Sequence, residues 1–130
     1  MPEFSISSKN KLYTCHPYIQ LICFEVIKYF DFTILEGYRN EEKQNNAFNE
    51  NKSKLKYPFS KHNKIPSEAI DIIPYPIDWN DINRFIYLAG FMMGISKHLK
   101  IKLRWGGNWN NDNNLKNNKF NDFPHFEIML

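Results

Sequence analysis

The sequence predicts an α+β domain in which helices flank a small antiparallel sheet, and three observations favour this class. Apolar residues recur at helical spacing in some segments and in short buried runs in others, in the order helix, strand, helix, strand, helix, strand, strand. The last two strands are joined by a loop without a crossover helix, as in antiparallel pairing. The chain has 130 residues, 42% of them hydrophobic and 16% aromatic, which suffices for one core and excludes a disordered chain. We therefore expect residues 1–130 to form a single domain.

The first half of the chain is predicted to contain an arm, a helix, a strand and a second helix. Residues 1–11 are polar and are expected to form a loosely held arm. A helix over residues 16–30 is predicted because Pro17 suits a first helical turn and apolar side chains recur on one face. The short apolar run 32–35, which a glycine ends, predicts a strand. A charged helix is expected over residues 41–49.

The second half begins with a predicted long loop over residues 50–66, rich in Asn, Lys, Ser and Pro. Loops of this length inside a domain are usually functional or disordered. A largely buried strand is expected over residues 68–73, and a helix capped by an aspartate over residues 78–99. Two further strands, 101–105 and 123–129, are separated by a glycine pair and an Asn-rich loop.

The charge and hydropathy of the chain exclude several function classes. Lys and Arg number 17 against 14 Asp and Glu, a net charge of +3, and the basic residues are dispersed rather than arranged in a stripe. We therefore expect no nucleic-acid partner. No apolar stretch approaches the roughly 20 residues of a membrane span, and the N-terminus lacks the features of a signal peptide. We expect no membrane insertion, and a monomer in solution.

The two cysteines are predicted to be buried thiols. Cys15 and Cys23 are eight residues apart in what is predicted to be one helix. Such a spacing places them about 12 Å apart along the helix axis, too far for a disulfide. Neither has a CxxC partner, so the sequence does not indicate a zinc-thiolate site.

The candidate chemistry lies in two of the four histidines and one aspartate. His62 and His125 stand where loops meet predicted strands, and Asp71 lies within an apolar strand, where an unpaired carboxylate is costly to bury. Two histidines and one aspartate, with a fourth position left for water, form a ligand set of catalytic zinc sites. Taken singly, each has an ordinary explanation, a solvated histidine or an aspartate that caps a turn. His16 and His98 suit a helix start and a last helical turn.

Three segments carry a recognisable pattern: Ser60-Lys61-His62-Asn63 with Pro66-Ser67-Glu68-Ala69-Ile70-Asp71, Arg104-Trp105-Gly106-Gly107-Asn108-Trp109 and Asp122-Phe123-Pro124-His125-Phe126-Glu127. Together they resemble the zinc D,D-carboxypeptidase and L-alanyl-D-glutamate peptidase family, which includes VanY-type enzymes and many small phage endolysins. The resemblance extends from about residue 12 to residue 130. It implies the fold that this family shares with hedgehog-type domains.

The resemblance implies a role for each residue that matches the family pattern. His62, Asp71 and His125 are the implied ligands of one Zn²⁺ per chain. Asp122, three residues before the last ligand, matches the catalytic carboxylate, and Arg39 matches the arginine that binds substrate or the developing oxyanion. Further substrate contacts are expected from Ser60, Gln44 and Trp105.

The chain departs from the commoner family pattern at two places. Eight residues separate His62 from Asp71, where six including a glycine are commoner, and Ile65-Pro66-Ser67 replaces the glycine turn. Asn108 stands where relatives often carry aspartate.

Structural alternatives remain open for several of these residues. Trp105, Trp109 and Phe126 are candidates to wall a cleft, and Trp105 and Phe126 are equally candidates for ordinary core packing. Arg39 is alternatively a surface residue that pairs with an adjacent glutamate.

The implied activity is that of a zinc-dependent peptidoglycan peptidase acting on the peptide stem, most like the L-alanyl-D-glutamate endopeptidases that serve as endolysins. The alternatives are a D-alanyl-D-alanine carboxypeptidase or dipeptidase on the same scaffold and an inactive zinc-binding module, although Asp122 and Arg39 favour an active enzyme. If Asp122 is structural, Glu127 is the next candidate base. Such an enzyme is expected to lack a cell-wall-binding domain and to reach the wall from the host cytoplasm through a separate pore protein.

Overall fold

The fold, seen in a computed structural model that describes residues 2–112, 114–117 and 121–130, confirms the predicted α+β class. Four strands form one antiparallel sheet in the order β1-β2-β4-β3. The α-helices and strands of the described residues are α1 (Ile6–Leu12), α2 (Pro17–Val26), β1 (Phe32–Glu36), α3 (Glu41–Asn49), β2 (Ala69–Pro74), α4 (Ile82–His98), β3 (Leu103–Trp105) and β4 (His125–Ile128).

The N-terminal segment is not the loosely held arm predicted over residues 1–11, because helix α1 forms there and packs against β1. Phe4 is buried and contacts Phe32 edge-on, with ring centroids 5.1 Å apart. The buried hydroxyl of Ser8 accepts a hydrogen bond of 3.1 Å from the backbone N–H of Ile34. A few inward-facing residues anchor this otherwise polar segment. Because few of its residues are apolar, its composition does not indicate that it packs on the domain.

Two predicted helices have different bounds in the structure. Helix α2 ends at Val26, and Phe30 lies beyond it in the turn that follows. The side chain of Phe30 packs on Phe91 of α4, with ring centroids 5.7 Å apart. This packing explains why apolar spacing continues past the helix end. Helix α4 has Asp81 as its N-cap, and Asp78, the predicted cap, instead accepts a hydrogen bond of 3.0 Å from the backbone of Asn80.

The core lies between the sheet and helices α2 and α4. It contains Ile22 and Val26 of α2, Leu88 and Met92 of α4 and Ile70 of β2, all buried. Burial of these side chains is the main source of stability in a domain of this size. The sheet is thereby packed against two helices, and the ends of its strands remain available to carry the residues of a site.

Both cysteines are buried free thiols, as predicted. Cys15 does not share a helix with Cys23, because it precedes α2 and forms an isolated bridge with Ser67. Burial raises the pKa of the Cys15 thiol to about 12.

The strand register determines which side chains meet at the site. Asp71 of β2 lies directly opposite His125 of β4, and Arg104 of β3 lies directly opposite Glu127 of β4. Side chains opposite each other on antiparallel strands are close neighbours. The central position of β4 therefore brings residues from three strands together.

The two predicted loops connect these elements. The loop over residues 50–66 contains a 3-10 turn at Lys61–Asn63. The Asn-rich loop over residues 108–121 lies partly outside the described residues, and its described part contains a 3-10 turn at Leu115–Asn117. Within the described ranges, no helix is both long enough and apolar enough to cross a bilayer.

Candidate active site

His62, Asp71 and His125 direct three potential metal ligands at one point. The distances are 3.2 Å from His62 Nε2 to Asp71 Oδ1, 3.3 Å from His62 Nε2 to His125 Nδ1, and 3.1 Å from His125 Nδ1 to Asp71 Oδ1. A tetrahedral ion with ligand bonds of about 2.0–2.1 Å holds its ligand atoms about 3.3 Å apart. The triangle therefore has the size that zinc requires.

The other nitrogen of each imidazole shows which ring atom offers a lone pair. His62 Nδ1 lies 2.8 Å from the carbonyl oxygen of Gly37, which can only accept, so Nδ1 donates and Nε2 is left as an acceptor. His125 Nε2 lies 2.9 Å from Glu127 Oε1, so Nε2 donates and Nδ1 is left as an acceptor. In the neutral rings, two lone pairs and a carboxylate oxygen then face one another. Such an arrangement fits a bound cation.

A proton is the other cation that these groups can hold. Burial lowers the pKa of His125, but hydrogen bonds to Asp71 and Glu127 raise it to about 9. Burial favours a neutral Asp71, but the charges and hydrogen bonds of His62 and His125 hold its pKa well below the usual range. Metal and protons therefore compete for the same atoms, and metal binding is expected to release a proton.

A capped 3-10 turn aims the first histidine. The hydroxyl of Ser60 accepts a hydrogen bond of 3.2 Å from the backbone of His62, and the side chain of Asn63 accepts one of 3.1 Å from the backbone of Ser60. Ser60 thus shapes the turn that presents His62, and it also lines the cleft beside it. Its contact with substrate stays a prediction.

The long His62–Asp71 spacing is accommodated by an outward loop. Ile65 is 82% exposed, whereas Ser67 is fully buried and its hydroxyl donates to the carbonyl oxygen of Ala69 at 2.7 Å. The extra residues therefore extend toward solvent, and Asp71 keeps its place opposite His125.

Arg39 lies beside the candidate metal ligands. Its Nη2 donates to Asp71 Oδ2 at 3.3 Å and its Nη1 to Gln44 Oε1 at 3.0 Å. Its backbone N–H donates to the carbonyl oxygen of His62 at 2.8 Å. The guanidinium pairs with Asp71 inside the cleft rather than with the adjacent glutamates on the surface. The surface alternative is thereby contradicted.

Gln44 lies beneath Arg39 and is 0% exposed. Its amide nitrogen donates to the hydroxyl of Ser53 at 3.0 Å and to the carbonyl oxygen of Leu55 at 2.6 Å. Its amide oxygen accepts from Arg39 and, at 3.2 Å, from Asn63. The structure does not support the predicted substrate contact by Gln44, because every hydrogen-bonding group of the amide is used within the protein. Gln44 instead holds Arg39 in place.

Trp105 packs in the core, which is one of the two alternatives that the sequence left open for it. The structure does not support its predicted substrate contact. It is 4% exposed, and its indole N–H donates to the carbonyl oxygen of Phe123 at 2.7 Å. Its ring stacks on that of Phe126, with centroids 6.3 Å apart.

Trp109 is the tryptophan of this motif that lines the cleft. Its ring centroid lies 5.4 Å from that of His125, and the guanidinium of Arg104 lies 5.4 Å from the centre of the indole. An aromatic wall of the cleft was expected, and Trp109 provides it.

The two glycines of the Trp-Gly-Gly segment have separate structural reasons. A Cβ at Gly106 would overlap the backbone of Asp122, and a Cβ at Gly107 would overlap the ring of Trp105. Gly106 also donates to the carbonyl oxygen of His125 at 2.8 Å and accepts from the backbone of Asp122 at 3.0 Å. The close approach at Gly106 thus sets where the Asp122 turn lies.

Asp122 lies on the cleft wall in the turn that precedes β4. Its carbonyl oxygen accepts a hydrogen bond of 3.0 Å from the backbone of His125. Burial, reinforced by the negative charge of Asp71, raises the pKa of Asp122. Its carboxylate therefore takes up a proton more readily than one in water.

The cleft around these residues has a volume of about 1070 Å³. The candidate ligands, Arg39, Asp122 and Trp109 all line it. The structure therefore brings the predicted ligands, base and arginine to one cavity.

Comparison with known proteins identifies the family. Residues 2–129 match the sequence profile described as phage L-alanyl-D-glutamate peptidase. The chain belongs to this family. It is 34% identical, over 113 residues, to the L-alanyl-D-glutamate peptidase of Escherichia phage T5, a match that covers 83% of this chain and 82% of the relative. The family resemblance and the expectation of a peptidase are confirmed.

A solved structure shares the fold of this family member. The L-Ala D-Glu endopeptidase ChiX of Serratia marcescens superposes with a TM-score of 0.77 and 23% sequence identity. The superposition covers 97% of this chain and 89% of that one.

Sequence reasoning did not assign Glu127 the position that it has in this peptidase. Its side chain is buried between His125 and Arg104, and hydrogen bonds from both lower its pKa to about 2 although burial opposes this shift. The sequence contained a signal for this contact, because Glu127 is two residues from His125 on a predicted strand and residues two apart on a strand share a face. Glu127 is thus a hydrogen-bond partner of His125.

Proposed function

We propose that the protein is a zinc-dependent peptidase that cleaves the bond between L-alanine and D-glutamate in the peptide stem of peptidoglycan. One observation carries the proposal. In a chain of the phage L-alanyl-D-glutamate peptidase family, three candidate ligand atoms lie 3.1–3.3 Å apart in a large cleft.

His62, Asp71 and His125 would hold the zinc ion. When bound in such a site, zinc acts as a Lewis acid that makes water more acidic and polarises a carbonyl group. Three protein ligands with room left in a cleft are typical of catalytic zinc sites, whereas structural sites have four protein ligands.

Asp122 is the proposed general base and acid. Hydrolysis of a peptide bond requires a proton to leave the attacking water and a proton to reach the departing nitrogen. A carboxylate whose pKa is raised, as that of Asp122 is, can perform both transfers in turn. Its place on the cleft wall supports this role.

Arg39 is the proposed electrophilic partner of the substrate. Its side chain is 14% exposed, and the bonds to Asp71 and Gln44 use one N–H on each of two nitrogens. The guanidinium has five N–H donors, so others can face a developing oxyanion or a stem carboxylate. Donors placed before the reaction stabilise charge at no cost of reorganisation.

The cleft carries charges of both signs. Its basic lining residues are Arg39, Lys43, Lys52, Lys54, Lys61 and Arg104, and its acidic lining residues are Glu36, Glu50, Asp71, Asp122 and Glu127. The peptide stem is the proposed partner because the chain belongs to the phage L-alanyl-D-glutamate peptidase family. A monomeric state, a cytoplasmic location before release and release through a separate pore protein stay predictions.

The test is mass spectrometry of purified muropeptides after digestion, with Asp122→Asn as a matched control. We expect stem peptides with a new D-glutamyl N-terminus, absent with the control variant and after zinc removal. Release of free D-alanine alone would assign the protein to the D-alanyl-D-alanine carboxypeptidases. No cleavage by the zinc-loaded protein would assign it to the inactive zinc-binding modules.

A further inference from the structure

His125 is enclosed by a closed ring of contacts that runs through Glu127, Arg104 and Trp109. His125 Nε2 lies 2.9 Å from Glu127 Oε1, and Arg104 Nη2 donates to Glu127 Oε2 at 2.8 Å. The Arg104 guanidinium also lies over the Trp109 ring at 5.4 Å, and that ring packs on the imidazole of His125 at 5.4 Å. One arginine therefore contacts both groups that flank the imidazole.

The sheet dictates this arrangement. Residues 125 and 127 alternate with Phe126 on β4, so His125 and Glu127 share a face of the strand. Arg104 lies opposite Glu127 on β3, and Trp109 follows the glycine pair that ends β3. The contact of Arg104 with Glu127 thus depends on strand register, and Trp109 joins the ring from the turn that follows β3.

Arg104 is the main partner of Glu127 on the side away from His125. Glu127 is 7% exposed, so its second oxygen needs a partner within the protein. Lys61 Nζ approaches that oxygen only to 3.6 Å, and it donates to the carbonyl oxygen of Ile128. Among the described residues, the Nε of Arg104 has no hydrogen-bond partner and is buried, so the contacts that hold this guanidinium are Glu127 at one edge and the Trp109 ring at its face.

We propose that Arg104 is a positioning residue for the metal site. It holds Glu127 and Trp109 on two sides of His125, and so keeps Nε2 of the imidazole as a donor and Nδ1 directed at His62 and Asp71. The proposal rests on the metal site of the proposed function. It predicts that Arg104 affects zinc affinity although it does not itself face the three ligand atoms.

The first test measures zinc affinity by competition with a chromophoric chelator, in the full-length protein. We expect Arg104→Gln and Glu127→Gln each to weaken zinc binding about 10- to 100-fold, the usual effect of removing a group that orients a ligand. Arg104→Lys keeps the charge without the planar fork and should recover part of the loss. The matched control is Arg84→Gln, because Arg84 binds the backbone carbonyl oxygens of Tyr75 and Pro76 outside the cleft.

The second test asks whether Arg104 acts through Glu127. In the Arg104→Gln/Glu127→Gln double variant, the loss of zinc affinity should be clearly smaller than the product of the two single losses, since coupled residues are not additive. In the zinc-loaded wild type, NMR should detect the Nε2–H proton of His125 as a protected resonance. That resonance should be lost to exchange with water in either single variant, even where thermal unfolding shows the fold intact.

The outcomes separate this inference from the proposed metal site. If the wild type and His125→Ala bind zinc equally, the metal site itself is wrong. If the wild type binds zinc but Arg104→Gln binds it equally well and keeps the Nε2–H resonance, Arg104 has no positioning role. If Arg104→Gln does not fold, Arg104→Lys and Glu127→Gln are used, and wild-type zinc affinity in both would overturn the proposal.

Discussion

Arg39 and Asp71 are joined across the candidate active site by a hydrogen bond of 3.3 Å between Nη2 and Oδ2. The other oxygen of the same carboxylate, Oδ1, lies 3.2 Å from His62 Nε2 and 3.1 Å from His125 Nδ1. One aspartate therefore contacts the arginine with one oxygen and both histidines with the other. Because of this link, a change at Arg39 acts next to the candidate metal ligands.

Arg39→Ala is expected to lower the rate of muropeptide cleavage about 10²- to 10³-fold, the usual effect of losing one donor to a developing oxyanion. A surface ion pair is worth roughly 0–1 kcal/mol and would leave activity almost unchanged. The control is Lys28→Ala, which removes a cation from an exposed pair with Glu25. Wild-type turnover by zinc-loaded Arg39→Ala would exclude a catalytic role.

Asp122→Asn is expected to retain zinc and fold but to lower turnover about 10²- to 10⁴-fold, the range of general acid–base catalysis. The amide has nearly the shape of the carboxylate but cannot accept the proton. Metal analysis and cleavage rates on the same preparation check this prediction. Rapid digestion by the variant would make Asp122 structural and leave the base unassigned, because Glu127, the next candidate, is already hydrogen-bonded to His125 and Arg104.

Gly106→Ala is expected to reduce activity strongly, because a Cβ at position 106 overlaps the backbone of Asp122 and must displace that turn. The matched control is Gly94→Ala in helix α4, where a Cβ meets no atom within 4 Å. That control should stabilise the protein by about 0.5–1 kcal/mol, since alanine is the better helix former. Cleavage assays and thermal unfolding of both variants decide the matter, and equal activity in the two would contradict the assigned role of Gly106.

Removal of the metal is expected to abolish cleavage and to lower the unfolding temperature. A ligand that binds only the folded state stabilises it by about 2.7 kcal/mol at 100 times its Kd. Dialysis against a chelator, followed by zinc titration in a thermal-unfolding assay, measures the effect. In His125→Ala the titration should leave the unfolding temperature unchanged, and a rise equal to that of the wild type would place the metal elsewhere.

Neither cysteine is expected to react with iodoacetamide in the folded protein at pH 8. Burial raises the pKa of Cys15 to about 12, so the thiolate fraction at pH 8 is about 10⁻⁴, and burial also raises the pKa of Cys23. The folded state holds both protons more tightly than the unfolded state, so this contribution to stability is lost as the pH rises from about 9 toward 12. Mass spectrometry should show two labels in urea and none without it. Rapid labelling of the native protein would contradict the burial of these thiols.

The candidate metal ligands were predictable from local chemistry, whereas the roles of Arg39 and Asp122 were implied only by the family resemblance. A carboxylate in the apolar strand around Asp71 requires a partner, and His62 and His125 supply it. The choice between Trp105 and Trp109 was not predictable, since it depends on the pairing of Trp105 with Phe126 across two strands. Register of this kind is a property of the sheet and cannot be read from one strand.

The fold was predictable where apolar spacing is strong and unpredictable where few residues turn inward. Helix α3 has the predicted bounds, residues 41–49. Helix α1 was missed because its anchors are single contacts, such as the hydroxyl of Ser8 on the backbone of Ile34. Helix α1 contributes to the core through a few inward-facing residues and not through a high content of apolar residues.

The strand order has a consequence for how the molecule assembles. β4 lies between β2 and β3 although it follows both in the chain, so β3 is joined to the rest of the sheet only through β4. The pairing of β4 with β2 also brings His125 to Asp71, a residue 54 positions earlier in the sequence. Long-range pairings of this kind form late, because closing a long loop costs entropy before any contact is gained. Folding intermediates in which β4 is not paired with β2 therefore lack the candidate metal site. With the proposed zinc binding, the uptake of zinc by a refolding chain should report the moment at which these two strands pair.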